Sequence, residues 1–150
     1  MNRIKSLIAI LFAAFITVSC SKEEQKSPYL EVTANNISGQ WQLVEWNGAP
    51  LSDDTYFYVE FVRKDSKFTI YQNFDSMGDM PHVVTGEFNI EIDLEAGAII
   101  RGMYDYDGGF WSHKYEIDDL TDNSMIWTAV DDPGFVQKFV RADIPDQVRK

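Results

Sequence analysis

Few residues in this chain have the chemistry of a reaction centre: His82, His113 and the lone Cys20, set among 24 acidic side chains. Nucleophilic catalysis needs Ser or Cys beside a histidine that a carboxylate orients. The sequence contains no Gly-x-Ser-x-Gly, no His-Glu-x-x-His and no phosphate loop. Paired carboxylates are plentiful, but in so acidic a chain they say little about acid/base work. The expectation is therefore a protein without catalytic residues, cofactor or bound metal. His113 is the more informative histidine. It alternates with Trp111, Tyr115 and Ile117 on one face, while Ser112, Lys114 and Glu116 take the other. That face should point inward, leaving two readings: a buried imidazole bonded to a tyrosine or backbone group, or a polar contact inside a ligand pocket. His82 closes a loop running from Asp75 and should be exposed.

The elements that would position these residues are strands. Aromatics make up 14% of the 150 residues, and many Val and Ile accompany them; such composition favours strand over helix. Eight runs fit: 40–47, 56–64, 67–74, 87–93, 99–105, 110–118, 125–130 and 135–141. The clearest is 87–93, where Phe88, Ile90 and Ile92 should face in and Glu87, Asn89, Glu91 and Asp93 should face water. Asp107-Gly108-Gly109 and Asp131-Asp132-Pro133-Gly134 are strong turn signals between runs. No stretch of ten residues after Cys20 has a helical period. Eight short strands with hairpin links predict an all-β fold, an eight-stranded up-and-down antiparallel β-barrel whose closure removes the sheet edges. A two-sheet sandwich is the alternative.

The beginning of the chain reads as an address. Met1 to Lys5 is basic, Leu7 to Val18 is apolar and Ser19 is small, the three parts of a secretory signal peptide. The apolar run is shorter than the roughly 20 residues of a comfortable membrane span. Thr17-Val18-Ser19-Cys20 resembles the bacterial lipoprotein cleavage box, with Thr17 where leucine is usual, and implies lipidation at Cys20. Ser21-Lys22-Glu23-Glu24 resembles the signal that sends lipoproteins of Bacteroidetes-type bacteria to the outer face of the outer membrane; a plain solvated tether would look alike. The expected organisation is signal peptide 1–19, flexible tether 20–36, barrel 37–142 and C-terminal tail 143–150.

The net charge is −11, from 13 basic and 24 acidic residues. Removing residues 1–19 takes away Arg3 and Lys5 and no acid. A polyanion needs clustered Lys and Arg, so no nucleic-acid partner is expected, and membrane contact is expected through the N-terminal lipid only. In an up-and-down barrel every second loop lies at the same end. That brings Asp53, Asp54, Asp75, Asp79, Asp107, Asp131 and Asp132 to one mouth, either to hold Ca²⁺ or steer a cation, or because Asp favours turns.

Ser38-Gly39-Gln40-Trp41 with Leu43 and Val44, then Asp119 to Met125, then Phe139-Val140-Arg141, resemble the lipocalin-like domains of Bacteroidetes lipoproteins and, more distantly, the lipocalins. The resemblance spans about residues 37–142. It implies that Arg141 packs over Trp41 at the closed end, with Gly39 admitting the turn. It also implies a barrel that binds a small or extended hydrophobic ligand. Strand alternation puts Phe57, Phe61, Phe88, Trp111, His113, Tyr115 and Trp127 on the wall of such a cavity. Because the tether joins the closed end, an anchor at Cys20 would leave the mouth facing away from the membrane. The rival expectation is a barrel filled by its own rings, acting as a non-catalytic module that docks an envelope protein.

Overall fold

A computed structural model describes residues 27–74 and 82–150. Cys20, the expected signal peptide, Asp75 and Asp79 lie outside the described residues.

The described residues form nine strands: β1 (Gly39–Trp46), β2 (Ala49–Pro50), β3 (Phe57–Val62), β4 (Lys67–Gln72), β5 (Val83–Asp93), β6 (Gly97–Tyr104), β7 (Tyr115–Asp118), β8 (Ser124–Ala129) and β9 (Val136–Arg141). Apart from β2, a two-residue arm on β1, each strand pairs antiparallel with the next, and β9 pairs back onto β1. The sheet is thus a closed eight-stranded barrel, the all-β architecture expected from the alternation. The only α-helix among the described residues is one turn, α1 (Ala34–Ile37), capped by Thr33. No helix among them is long and apolar enough to cross a membrane.

Inward positions alternate cleanly. Trp41 and Leu43 of β1, Val59 and Phe61 of β3, Phe68 and Ile70 of β4, and Met125 and Trp127 of β8 are all buried in one core. Two inward glycines make room for rings by sterics alone. A Cβ on Gly86 would lie 2.5 Å from the Phe68 ring, and one on Gly102 would lie 2.1 Å from the Trp111 indole.

The closed end is built on Gly39-Gln40-Trp41. Gly39 has φ +111°, and a Cβ there would meet the Arg141 guanidinium 2.5 Å away, so conformation and space both require glycine. Trp41 pairs in register with Arg141. Its ring is fully buried, its Nε1 donates to the Ile37 carbonyl at 2.7 Å, and the guanidinium carbon sits 3.8 Å over the ring. Arg141 also donates to the carbonyls of Ser38, Asn36 and Asp122. One cation thus ties the start of the barrel to its end, with a cation–π contribution on the order of 0.5–2 kcal/mol.

Four differences from the sequence expectations have physical reasons. First, the run 20–36 is not a tether throughout. Leu30, Val32 and Ala34 pack on the core, and the Leu30 amide donates to the Leu120 carbonyl at 2.7 Å; apolar spacing too short to show a period still buries area. Second, the tail 143–150 is a strap. Ile144 and Val148 cover Tyr58 and Tyr71, so the outer face of β3 and β4 is buried where alternation predicts a solvated one. Third, β5 runs 11 residues and overshoots the barrel, leaving Ile92 72% exposed rather than inward. Fourth, the strand expected over 110–118 is only Tyr115–Asp118. Phe110 makes an isolated bridge with Met103 and the Trp111 amide donates to the Gly102 carbonyl at 2.9 Å, but residues 111–114 belong to no strand, and the Trp111 indole turns in over Gly102.

Candidate functional site

The interior is a stack of rings graded by depth. Around the centre, Trp127 lies 4.6 Å from Phe139, 5.3 Å from Tyr115, 5.6 Å from Trp111 and 6.1 Å from Phe61. Phe61 is 5.0 Å from Phe88, and Trp111 is 5.0 Å from Phe68. Edge-on and tilted pairs at these distances are the favourable arrangements, contributing roughly 0.5–1.5 kcal/mol each beyond burial. Of the seven residues expected on the cavity wall, Phe57, Phe61, Phe88, Trp111, Tyr115 and Trp127 are buried in this core. At this level they contact one another.

Towards the open end the rings become half-buried. Trp46 lies 5.2 Å from Phe74 and 5.0 Å from Phe135, both edge-on, and Phe74 reaches Phe57 at 6.0 Å. A cleft of about 340 Å³ opens beside them, walled by Trp46, Leu51, Phe74, Ala49 and Pro50. The arm β2 supplies two of these residues. It is folded back on β1 through Asn47, whose side chain accepts from the Val136 amide at 2.8 Å. Alternation places Phe74 on the face of Phe68 and Ile70 but singles out neither Trp46 nor Phe135, and it names none of the three as a site residue. Their signal was weak, since each sits at a strand end where alternation stops.

His113 stands at the same end, partly exposed. Its ring lies 4.9 Å from Phe135 and 5.9 Å from Tyr115, and its Nδ1 is 2.7 Å from the Asp131 carboxylate. The partner is thus a carboxylate from the loop between β8 and β9, not a tyrosine or a backbone group. The hydrogen bond from His113 holds the Asp131 carboxyl below its usual range. No hydroxyl or thiol bonds to the imidazole among the described residues, so the pair orients a ring at the rim. His82 is exposed, with Nδ1 3.1 Å from the Gln72 carbonyl.

Two acids of the mouth serve their own turns. Asp107 accepts from the Gly109 amide at 2.7 Å and Asp132 from the Gly134 amide at 3.2 Å. Among the described residues no three His, Cys, Asp or Glu converge as metal ligands.

Two inward tyrosines report on the packing. Burial, with smaller contributions from Tyr106 and Asp107, pushes Tyr104 up to about 12. Burial, assisted by Tyr104 and Asp131, pushes Tyr115 higher still. A phenol raised in the folded state adds stability that is complete below its unfolded value near 10 and declines as pH rises above it. In a spectrophotometric titration Tyr104 and Tyr115 should therefore stay protonated past pH 11 and ionise only as the barrel melts. Replacing both by Phe should remove that late step, and a late step unchanged in the double variant would refute the assignment.

Compared with known proteins, the chain matches no family model and no curated protein.

Proposed function

We propose that this chain is a lipid-anchored, lipocalin-like protein of the cell envelope that takes a small or extended hydrophobic ligand in the upper part of its barrel, without catalysis. The observation that carries the reading is the gradient of exposure among the interior rings. Phe61 and Phe139 are buried against Trp127, whereas Phe74 and Phe135 meet Trp46 edge-on at the mouth and all three are only half-buried. An apolar wall with a few polar groups, here His113 and Asp131, is the usual make-up of a small-molecule site. Phe57, Phe61, Phe88, Trp111, Tyr115 and Trp127 are packed in the core and do not line the cleft at the mouth, which favours a shallow ligand over one threaded through the barrel.

The packed lower interior favours a second reading as well. Eight strands enclose a space that side chains can fill, and a filled barrel would act as an interaction module whose acidic rim docks an envelope protein.

The anchor rests on Ser19-Cys20 behind an apolar run. Both parts are tested by extracting the wild type and Cys20→Ala from a lipoprotein-processing host. The wild type should carry a fatty-acid label, partition with membranes and bring a hydrophobic molecule visible by mass spectrometry. Cys20→Ala should lose the label and keep the molecule. A label retained by Cys20→Ala would end the anchor reading, and a barrel free of any co-purifying apolar molecule would favour the interaction module.

A further inference from the structure

Where residues 111–114 interrupt the strand, the outer face of the barrel wall carries a depression that reaches from β5 and β6 to Asp131 in the loop between β8 and β9. Two adjoining clefts, of about 300 and 230 Å³, lie on either side of Arg101 and Lys114, and neither shares a lining residue with the cleft at the mouth. Arg101 is central to both. Its guanidinium stacks on the Phe110 ring with the central carbon 3.7 Å from the centroid, and its Nε is buried without an acceptor. Beside it, Trp111 is only 7% exposed and its Nε1 also lacks an acceptor. That edge of the indole lies against Gly102, where a Cβ would be 2.4 Å from Nε1. Buried N–H groups are rarely left unpaired, because each costs about 1–3 kcal/mol.

The carboxylates in the walls do not answer this need, since each has another partner. Glu87 pairs with Lys67 at 3.1 Å, Glu91 with Lys114 at 3.1 Å, and Asp131 with His113. Among the described residues Arg101 therefore stands without a counter-ion, in a chain of net charge −11. Met103 and Phe110 leave 38% and 54% of their surface exposed beside it. The site thus offers N–H donors at its centre and apolar surface at its edge.

We propose that this lateral cleft binds a monoanionic carboxylate carrying a small apolar body, its oxygens taken by the Arg101 fork on the outer face of β6, its body against Phe110 and Met103. Planar guanidinium donors match a carboxylate two bonds at a time. The acidic surroundings favour a single negative charge over a dianion such as phosphate. Arg101, Phe110 and Met103, which would hold this ligand, are no part of the proposed mouth site.

Calorimetric titration of the full mature chain with phenylacetate, 2-phenylethanol and inorganic phosphate tests it. Phenylacetate should bind saturably, more weakly as salt rises, and tighter than either control. Arg101→Gln should weaken it about tenfold or more, as loss of a charge-assisted pair does. Should Arg101→Gln fail to fold, Arg101→Lys keeps the charge without the fork and should bind measurably less well than the parent. Equal binding of 2-phenylethanol would show that the donors are idle, and equal binding of phosphate that the apolar body is. Either result, or phenylacetate affinity unchanged in the folded arginine variants, would overturn the proposal.

Discussion

Trp41→Ala should lower the stability of the barrel by about 3–5 kcal/mol, the range for truncating a fully buried large aromatic. Three losses coincide at that position. The ring leaves a void at the closed end, the Ile37 carbonyl loses its 2.7 Å donor, and the Arg141 guanidinium loses the face it covers at 3.8 Å. A single domain holds roughly 5–15 kcal/mol in all, so the variant should melt many degrees lower or fail to accumulate. Trp41→Phe separates these losses, since it keeps an aromatic face and gives up the N–H, and should cost distinctly less. Denaturant unfolding of the three proteins checks the order, and a Trp41→Ala midpoint equal to the parent's would mean that the closed end does not hold the fold.

Trp127→Ala should have a cost of the same size for a different reason. Trp127 sits among Phe139, Tyr115, Trp111 and Phe61 at 4.6 to 6.1 Å, and its Nε1 donates to Met125 Sδ at 3.3 Å. Its neighbours come from several strands, so no single backbone shift can close the gap. The expected result is a loss of about 3–5 kcal/mol together with a new apolar cavity in the middle of the barrel. A small nonpolar solute such as benzene should raise the melting temperature of Trp127→Ala and leave that of the parent unchanged. Stabilisation of both alike would mean that the parent already holds an open interior.

The barrel itself was legible because its signals are local. Alternation in β3, β4 and β8 assigns each inward residue without reference to its neighbours, and Asp-Gly and Pro-Gly turns mark the hairpins. The rest was carried by contacts between distant segments. Ile144 covering Tyr71, or Leu30 bonded to Leu120, joins residues whose separation leaves no periodic trace. The fourth difference is steric: a strand through 110–118 satisfies alternation, but an indole the size of Trp111 needs the space above Gly102, and the strand is interrupted where it takes that space. The candidate site divides in the same way. The buried rings follow from strand alternation, whereas Trp46, Phe74, Phe135 and the pairing of His113 with Asp131 depend on where loops return. Arg101 gave no signal at all, because an arginine at an outward strand position is ordinary until its surroundings show that no acid meets it.

The measurement that bears most directly on the mouth as a hydrophobic site is titration of the folded protein with a neutral fluorescent dye such as Nile red. A neutral dye avoids attraction to Arg101. Binding should be saturable at one dye per barrel and weakened several-fold by Trp46→Ala and by His113→Ala, each compared at a temperature where its melting curve shows it folded. Emission that rises only when the protein is denatured would contradict the account, leaving a barrel whose interior is a packed core and whose surface does the recognising.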